Sequence, residues 1–295
     1  MSALSQERKG EWFTFIGALL WAVFPVTAVL SYAVLPSLVS LGVSTALAAL
    51  FFAAVVTYRK RWREIRDPYL WGNVLMVTLF IGVLFYGLYY IGLETTTPGN
   101  AAIIALLEVF TSFVFFRMFK GEKLSLDYAL GAVCMVVGAL IILGPSFAGV
   151  RVGDFIVLAA TLFTPVGNYY QQKAREIASA ESIMFLRSVL STPIIFALAY
   201  ILGQKATSED VVFSWFFLAV NGVLLLGLSK LFWIEAIHRV SVTKATALSS
   251  IAPFFTLFFA WILLSQVPTI WQMLSLVPFV LGTLLLTDYI RLKKV

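Results

Sequence analysis

The chain has a single cysteine, Cys134, and a single histidine, His238, among 295 residues. One thiol makes no intrachain disulfide, and these two residues supply no Cys- or His-based metal site. Charge is also scarce: Asp, Glu, Lys and Arg make up 12% of the chain, against about a quarter of an ordinary soluble domain. No HExxH run, acidic metal cluster, phosphate-binding glycine loop or Ser/His/Asp set is present. Intramembrane hydrolysis and ATP-driven pumping therefore have no residues to support them, and nothing calls for a cofactor. No small-residue cleavage site follows the first apolar run, which reads as a retained span rather than a cleaved signal.

Apolar residues are what the chain has instead: 61% of it is hydrophobic and the mean hydropathy is +0.95. Apolar runs fall at about 12–34, 37–58, 70–92, 98–116, 127–145, 153–172, 181–202, 211–237, 242–264 and 269–289. Each is long enough for a helical crossing of about 20 residues and lacks the alternation of a membrane barrel strand, so ten spans are expected in an all-α polytopic membrane protein. Pro36, Pro68, Pro98 and Pro268 mark breaks between them. Too little chain remains for a folded domain outside the bilayer, which is the first partner implied.

The net charge of +6 reads as topology rather than as a nucleic-acid surface. With ten spans, 17 of the 21 basic residues fall on one side, only Arg151 and Lys205 on the other, and Arg187 and Lys230 inside helices. This places both termini in the cytoplasm of a bacterial-type inner membrane.

Sliding the chain against itself by 144 residues aligns spans 3–5 with spans 8–10 without a gap. Gly92-Leu93 meets Ala236-Ile237, Ala101 meets Ala245, Phe110 meets Phe254, Phe115 meets Phe259, Gly138 meets Gly282 and Leu140 meets Leu284. Pro25 and Pro165 pair at an offset of 140. Two five-helix repeats, 1–148 and 149–295, are expected, and an odd number of crossings inverts the second relative to the first. Inverted repeats suit a transporter whose central site opens alternately to each side; the other reading is a duplication kept for packing alone.

Two such halves, with Ala-Ile-His-Arg-Val-Ser-Val-Thr-Lys-Ala before Ala252-Pro253-Phe254-Phe255, resemble the EamA family of the drug/metabolite transporter superfamily. The first half agrees through Gly92-Leu93, Glu108-Val109-Phe110, Lys120-Gly121-Glu122-Lys123 and Gly138. The resemblance extends to the family's YddG-type amino acid and metabolite exporters. It implies a central cavity lined by spans 1, 3, 4, 6, 8 and 9, with spans 5 and 10 at the periphery. Where those exporters carry an Asn-Tyr-Leu-Trp-Pro-like run in span 4, this chain has Ala105-Leu106-Leu107-Glu108-Val109, so a preference for aromatic amino acids is not carried over.

Charges deep in apolar helices are the strongest site candidates, because an ion there costs several kcal/mol unless it faces a cavity or a partner. Glu108 in span 4 and Lys230 in span 8 come one from each half. They suit the ammonium and carboxylate of a zwitterion, or each other as an ion pair, and Glu108 also suits proton coupling; these readings stay open. Glu235, nearer the helix end, is less telling. Arg187 resembles an arginine of this helix in the family and reads as a gate or structural residue. Trp21, Tyr86, Tyr89, Tyr90, Asn168, Tyr169, Trp233, Ser249 and Ser250 lie on helices expected near the cavity. Pro25, Pro165 and Pro253 can hinge or kink their spans. Ala245, Ser249 and Pro253 face Ala101, Ala105 and Val109 in the repeat register, a small-residue stripe for close packing of spans 4 and 9. His238 beside Arg239 reads as a solvated helix-end histidine. The expected function is export of a small polar or amphipathic metabolite, such as an amino acid, by alternating access. A non-transporting receptor or scaffold and a membrane-embedded enzyme are the alternatives, and ion coupling is open.

Overall fold

A computed structural model of the chain describes residues 6–32, 34–120, 126–148, 151–286 and 289–290. The Gly121-Glu122-Lys123 turn and the basic residues Arg291, Lys293 and Lys294 lie outside the described residues. The described chain is helical, without a strand. Inside a bilayer each backbone N–H and C=O must find its partner within its own segment, and a helix provides this for every apolar run separately.

Nine helices are long and apolar enough to cross a membrane among the described residues. They are Gln6–Ser31 (span 1), Ser37–Tyr58 (span 2), Pro68–Leu93 (span 3), Pro98–Arg117 (span 4), Leu126–Leu143 (span 5), Val152–Ile177 (span 6), Ala180–Ile201 (span 7), Trp215–Arg239 (span 8) and Lys244–Leu264 (span 9). The tenth, Ile270–Leu286, is the shorter span 10. The anticipated prolines stand at the breaks: Pro36 precedes span 2, and Pro68 and Pro98 occupy the first turns of spans 3 and 4, where a missing N–H costs nothing. Span 6 runs five residues past its expected end, through Lys173 and Arg175 to Ile177, because polar side chains do not end a helix.

Several spans are not straight helices, and their irregularities follow the repeat. The backbone loosens to a π-helix at Thr78–Phe85 in span 3 and at Val220–Leu228 in span 8, and the 144-residue offset superposes these segments. Span 4 breaks at Ala105 and Leu106, where the Glu108 N–H reaches back only to the Ala105 carbonyl (2.9 Å) and the Val109 N–H to Leu106 (3.0 Å). The same offset carries this break onto the 3-10 turn Ser249–Ile251 of span 9. Span 6 breaks at Leu162 and Phe163, ahead of Pro165. Pro25 differs: span 1 continues through it.

Packing follows the same symmetry. Span 1 lies along span 8 as span 6 lies along span 3, while spans 2 and 7, 4 and 9, and 5 and 10 each pair with their own repeat counterparts. Before its break span 4 packs on the later half of span 9, and after it on the earlier half, so the two broken helices cross antiparallel. Ala101 and Ala245 are fully buried there. Spans 5 and 10 form the periphery. A Cβ on Gly138 would lie 2.8 Å from the Phe279 ring, and one on Gly282 would lie 2.9 Å from the Gly131 carbonyl. Their outer faces show Val133, Val136, Val137 and Leu140, and Met273, Leu274, Val277 and Leu281, at helical spacing, as lipid-facing stripes do.

On the terminus-bearing face, Glu64 in the loop between spans 2 and 3 holds the start of span 7. Its Oε2 accepts from the Ser179 N–H (2.8 Å), Ser179 Oγ (2.6 Å) and Ser182 Oγ (2.8 Å). Partial burial alone would raise this carboxyl's pKa, but the serine hydrogen bonds, with Arg61 alongside, bring it below its usual value. A depressed carboxyl pKa stabilises the fold above the unfolded-state value of about 4.3 and loses that contribution as the pH falls through the folded value. Glu64→Gln is expected to cost about 1 kcal/mol at pH 7, the worth of a carboxylate at a helix N-terminus. In thermal unfolding the gap to wild type should shrink below about pH 4.3. A gap independent of pH would discard the charge-based account.

Candidate functional site

Mid-way through the bundle a cavity of about 90 Å³ is lined by residues of both repeats. Span 1 contributes Gly17, Ala18 and Trp21; span 3, Ile81, Phe85 and Tyr86; span 4, Ala105 and Glu108; and span 6, Thr164, Asn168 and Gln171. Span 8 adds Ser229, Lys230 and Trp233, and span 9 adds Thr246 and Ser249. These are the six lining spans that the family resemblance implies. Arg187 of span 7 joins them. At 1.5 Å per residue, Trp21 lies about 22 Å from the start of span 1 and Lys230 about 14 Å from the end of span 8, deep inside a hydrocarbon layer of roughly 30 Å.

The helix breaks point at this cavity. Ala105 stands in the break of span 4 with Glu108 just after it, Ser249 opens the equivalent turn of span 9 with Thr246 ahead of it, and Thr164 follows the break in span 6. An interrupted membrane helix exposes backbone groups that only a protein interior or a polar cavity can satisfy. Glu108 sits in the first turn after its break, so its carboxylate faces the cavity rather than lying on an unbroken helix flank.

Asn168 organises one wall. Its Oδ1 accepts from Trp233 Nε1 (3.2 Å) and from Gln171 Nε2 (3.2 Å), which leaves its Nδ2 to donate to Glu108 Oε1 (2.9 Å). Two N–H groups aimed at one amide oxygen fix the orientation of the amide. Opposite, Lys230 Nζ lies 3.3 Å from the Trp21 ring centroid, and Trp21 stacks on Phe24 at 4.1 Å. The ammonium therefore rests on an aromatic face. Glu108 and Lys230 form no ion pair with each other.

Trp21, Tyr86, Glu108, Asn168, Lys230, Trp233 and Ser249 thus come together, and Arg187, expected at a gate, lines the same space. Tyr90 and Tyr169 do not. Tyr90 is fully buried beside Phe24 and Tyr32, rotated away from the cavity face, and Tyr169 packs on Phe115 and Phe116 with Lys173 over its ring. Tyr89 and Ser250 are likewise outside the lining. Sequence reasoning passed over Thr164 and Gln171. Both lie on the stripe Thr164, Asn168, Gln171 at spacings of four and three, a helical period that would have found them.

Polar networks tie the spans together above and below the cavity. On the terminus-bearing face Glu235 of span 8 bonds Arg175 of span 6 at 2.8 Å and Arg239 of its own helix, and Lys244 bonds Glu7 and Glu11 of span 1, each at 2.6 Å. On the opposite face the fully buried Asp154 accepts from Thr96 Oγ1 and from Asn100 Nδ2 (3.3 Å), and Asn100 Oδ1 accepts from Gln272 Nε2 (2.8 Å). This second network joins spans 6, 4 and 10 and was not anticipated, since Asp154 stands at a helix start where an acidic residue is commonplace.

A model of the EamA-like transporter family matches residues 8–144 and again residues 151–288. The uncharacterized transporter YoaV of Bacillus subtilis (strain 168) is 19% identical over 256 residues, covering 85% of this chain and 87% of that protein. A solved crystal structure of a protein covers 97% of this chain and 100% of its own at 20% identity and a TM-score of 0.73, a likeness of fold.

Proposed function

The chain belongs to the EamA-like transporter family, and from that premise we propose that it moves a small polar or amphipathic metabolite, such as an amino acid, by alternating access. The observation that carries this reading is one cavity, deep in the bundle, where breaks in equivalent helices of both repeats meet charged side chains of both signs. Discontinuous helices at the repeat interface are where secondary transporters hold substrate and coupling ions. We assign the repeats to 1–148 and 149–295, which contain the two family matches. Glu108, Lys230, Trp21, Tyr86, Asn168, Trp233 and Ser249 are the substrate residues, and Arg187 adds a charge to them. Tyr90 and Tyr169 support the walls from behind. Pro165 and Pro253, each just after a break, are the joints about which half-helices tilt.

A cavity of about 90 Å³ is small beside ligand pockets of roughly 300–1,000 Å³, so the walls must draw apart to admit cargo. The Glu235 network on one face and the Asp154 network on the other are the contacts that would release in turn. The basic residues on the terminus-bearing face support a cytoplasmic placement of both ends in a bacterial-type inner membrane, with export as the direction.

The test is a metabolite screen by thermal shift on the purified protein, followed by counterflow in proteoliposomes. A ligand at 100 times its Kd should stabilise the folded state by about 2.7 kcal/mol and support exchange of its labelled form. Binding without counterflow for any stabilising metabolite would make the protein a receptor and end the transport reading.

A further inference from the structure

The charges around the cavity do not balance. Its lining contains one carboxylate, Glu108, and two cations, Lys230 and Arg187. Arg187 is 2% exposed, with its Cζ 5.6 Å from the Tyr86 ring centroid, and Lys230 Nζ lies 6.0 Å from that same centroid. Both cations thus flank one neutral ring. Among the described residues, neither has a carboxylate within ion-pairing distance. The acids nearer the faces are already engaged, Glu235 by two arginines and Asp154 by Thr96 and Asn100. An aromatic face attracts a cation but supplies no counter-charge, and an unmatched ion at this depth costs several kcal/mol. Glu108, for its part, gives one oxygen to Asn168, while its second has no protein donor among the described hydrogen bonds.

Resting on the metabolite-transport reading above, we infer that the cargo carries one amine and two acid groups, and so one net negative charge, as acidic amino acids do. The ammonium meets the free oxygen of Glu108, and the two acid groups meet Lys230 and Arg187. Bound cargo then neutralises the excess charge of the cavity. A neutral zwitterion leaves one cation unmatched, and a dicarboxylate without an amine leaves Glu108 facing only anions. Arg187 is in this account a specificity residue that reads the second acid group, which its fork of N–H donors suits.

The test uses the full-length protein in proteoliposomes loaded with L-glutamate, L-aspartate, L-glutamine, L-leucine or glutarate, each assayed for exchange of its labelled form. Exchange of glutamate or aspartate is expected to exceed that of glutamine, leucine and glutarate at least tenfold. Arg187→Gln should shift the glutamate-to-glutamine ratio at least tenfold toward glutamine, and Arg187→Lys should keep the wild-type order, which separates a lost charge from a damaged fold. Neutral amino acids exchanging as fast as acidic ones would overturn the charge inference and leave transport standing. Glutarate matching glutamate would overturn the role given to Glu108. If Arg187→Gln lowers exchange of both amino acids equally, Arg187 does not read the second acid group and the assignment fails. No exchange with any of the five, while another metabolite exchanges, would overturn the cargo class alone; no exchange with any metabolite that stabilises the protein would overturn transport as well.

Discussion

Glu108→Gln and Lys230→Met are each expected to lower counterflow about 30-fold or more. Each residue is proposed to pair with a charged group of the cargo, and truncating one partner of such a desolvated pair costs about 2–5 kcal/mol, where 1.4 kcal/mol is a factor of ten. Gln at 108 keeps the oxygen that accepts from Asn168 Nδ2, and Met at 230 keeps an unbranched stem against Trp21, so each substitution removes charge with little change in packing. The two variants should part company in stability. Lys230→Met leaves one carboxylate and one cation, Glu108 and Arg187, around the cavity, so its Tm should equal or exceed that of wild type. Glu108→Gln leaves two cations with no carboxylate, and its Tm should fall. Counterflow at the wild-type rate in both variants would remove these residues from the site. A marked fall in the Tm of Lys230→Met would show that the ammonium is structural.

Gly153→Ala is expected to be the most destabilising single methyl in the bundle. Span 6 begins against the end of span 3, and a Cβ at Gly153 would lie 2.2 Å from the Gly92 carbonyl oxygen and 2.9 Å from the Thr95 carbonyl carbon. Both are backbone atoms, which cannot turn aside as a side-chain tip does. Overpacking a core costs about 1–3 kcal/mol when side chains can shift, and here the helices themselves must separate, so a loss of at least about 3 kcal/mol is expected. The control is Gly72→Ala on the exposed flank of span 3, where a Cβ meets nothing within 4 Å. Replacing a helical glycine with alanine there should be neutral or stabilising by up to about 1 kcal/mol. Thermal unfolding of the two variants in one detergent decides the matter, and equal Tm values would mean that spans 3 and 6 are not in backbone contact. In the repeat-related crossing of spans 1 and 8, a Cβ on Gly10 would lie 3.5 Å from the Ala236 carbonyl oxygen, a looser approach where the same change should cost less.

How far the site could be read in advance differs from residue to residue. Glu108, Lys230 and Arg187 stood out because a charge in an apolar run is conspicuous, whichever way the helix faces. Aromatic residues gave no such signal: Tyr86 lines the cavity while Tyr90, one turn on, is sealed behind it. In a helix four residues advance the face by about 40°, enough to move a ring from the cavity to the wall. Gln171 was overlooked although it shares a helical stripe with Asn168, because three polar residues near a helix end resemble the start of a loop.

The spans, their order and the twofold repeat are legible in the sequence alone. Each apolar run closes its own backbone hydrogen bonds, so its existence as a helix needs no neighbour, and the basic residues that sort to one side need only the count of crossings. The repeat register even anticipated where the breaks in spans 4 and 9 correspond, though not that they exist. Which face of each helix points inward is set by the packing of the spans against one another. With 61% of the chain apolar, the lipid-facing and buried sides of a span look alike, and the periodicity that orients helices in water is lost. The packing also decided that Lys230 rests on Trp21 instead of pairing with Glu108, and that Arg187 joins them around one cavity. Those placements depend on how seven helices from two halves approach one another, a geometry set by close approaches such as Gly153 on Gly92 and not by any one segment of the chain.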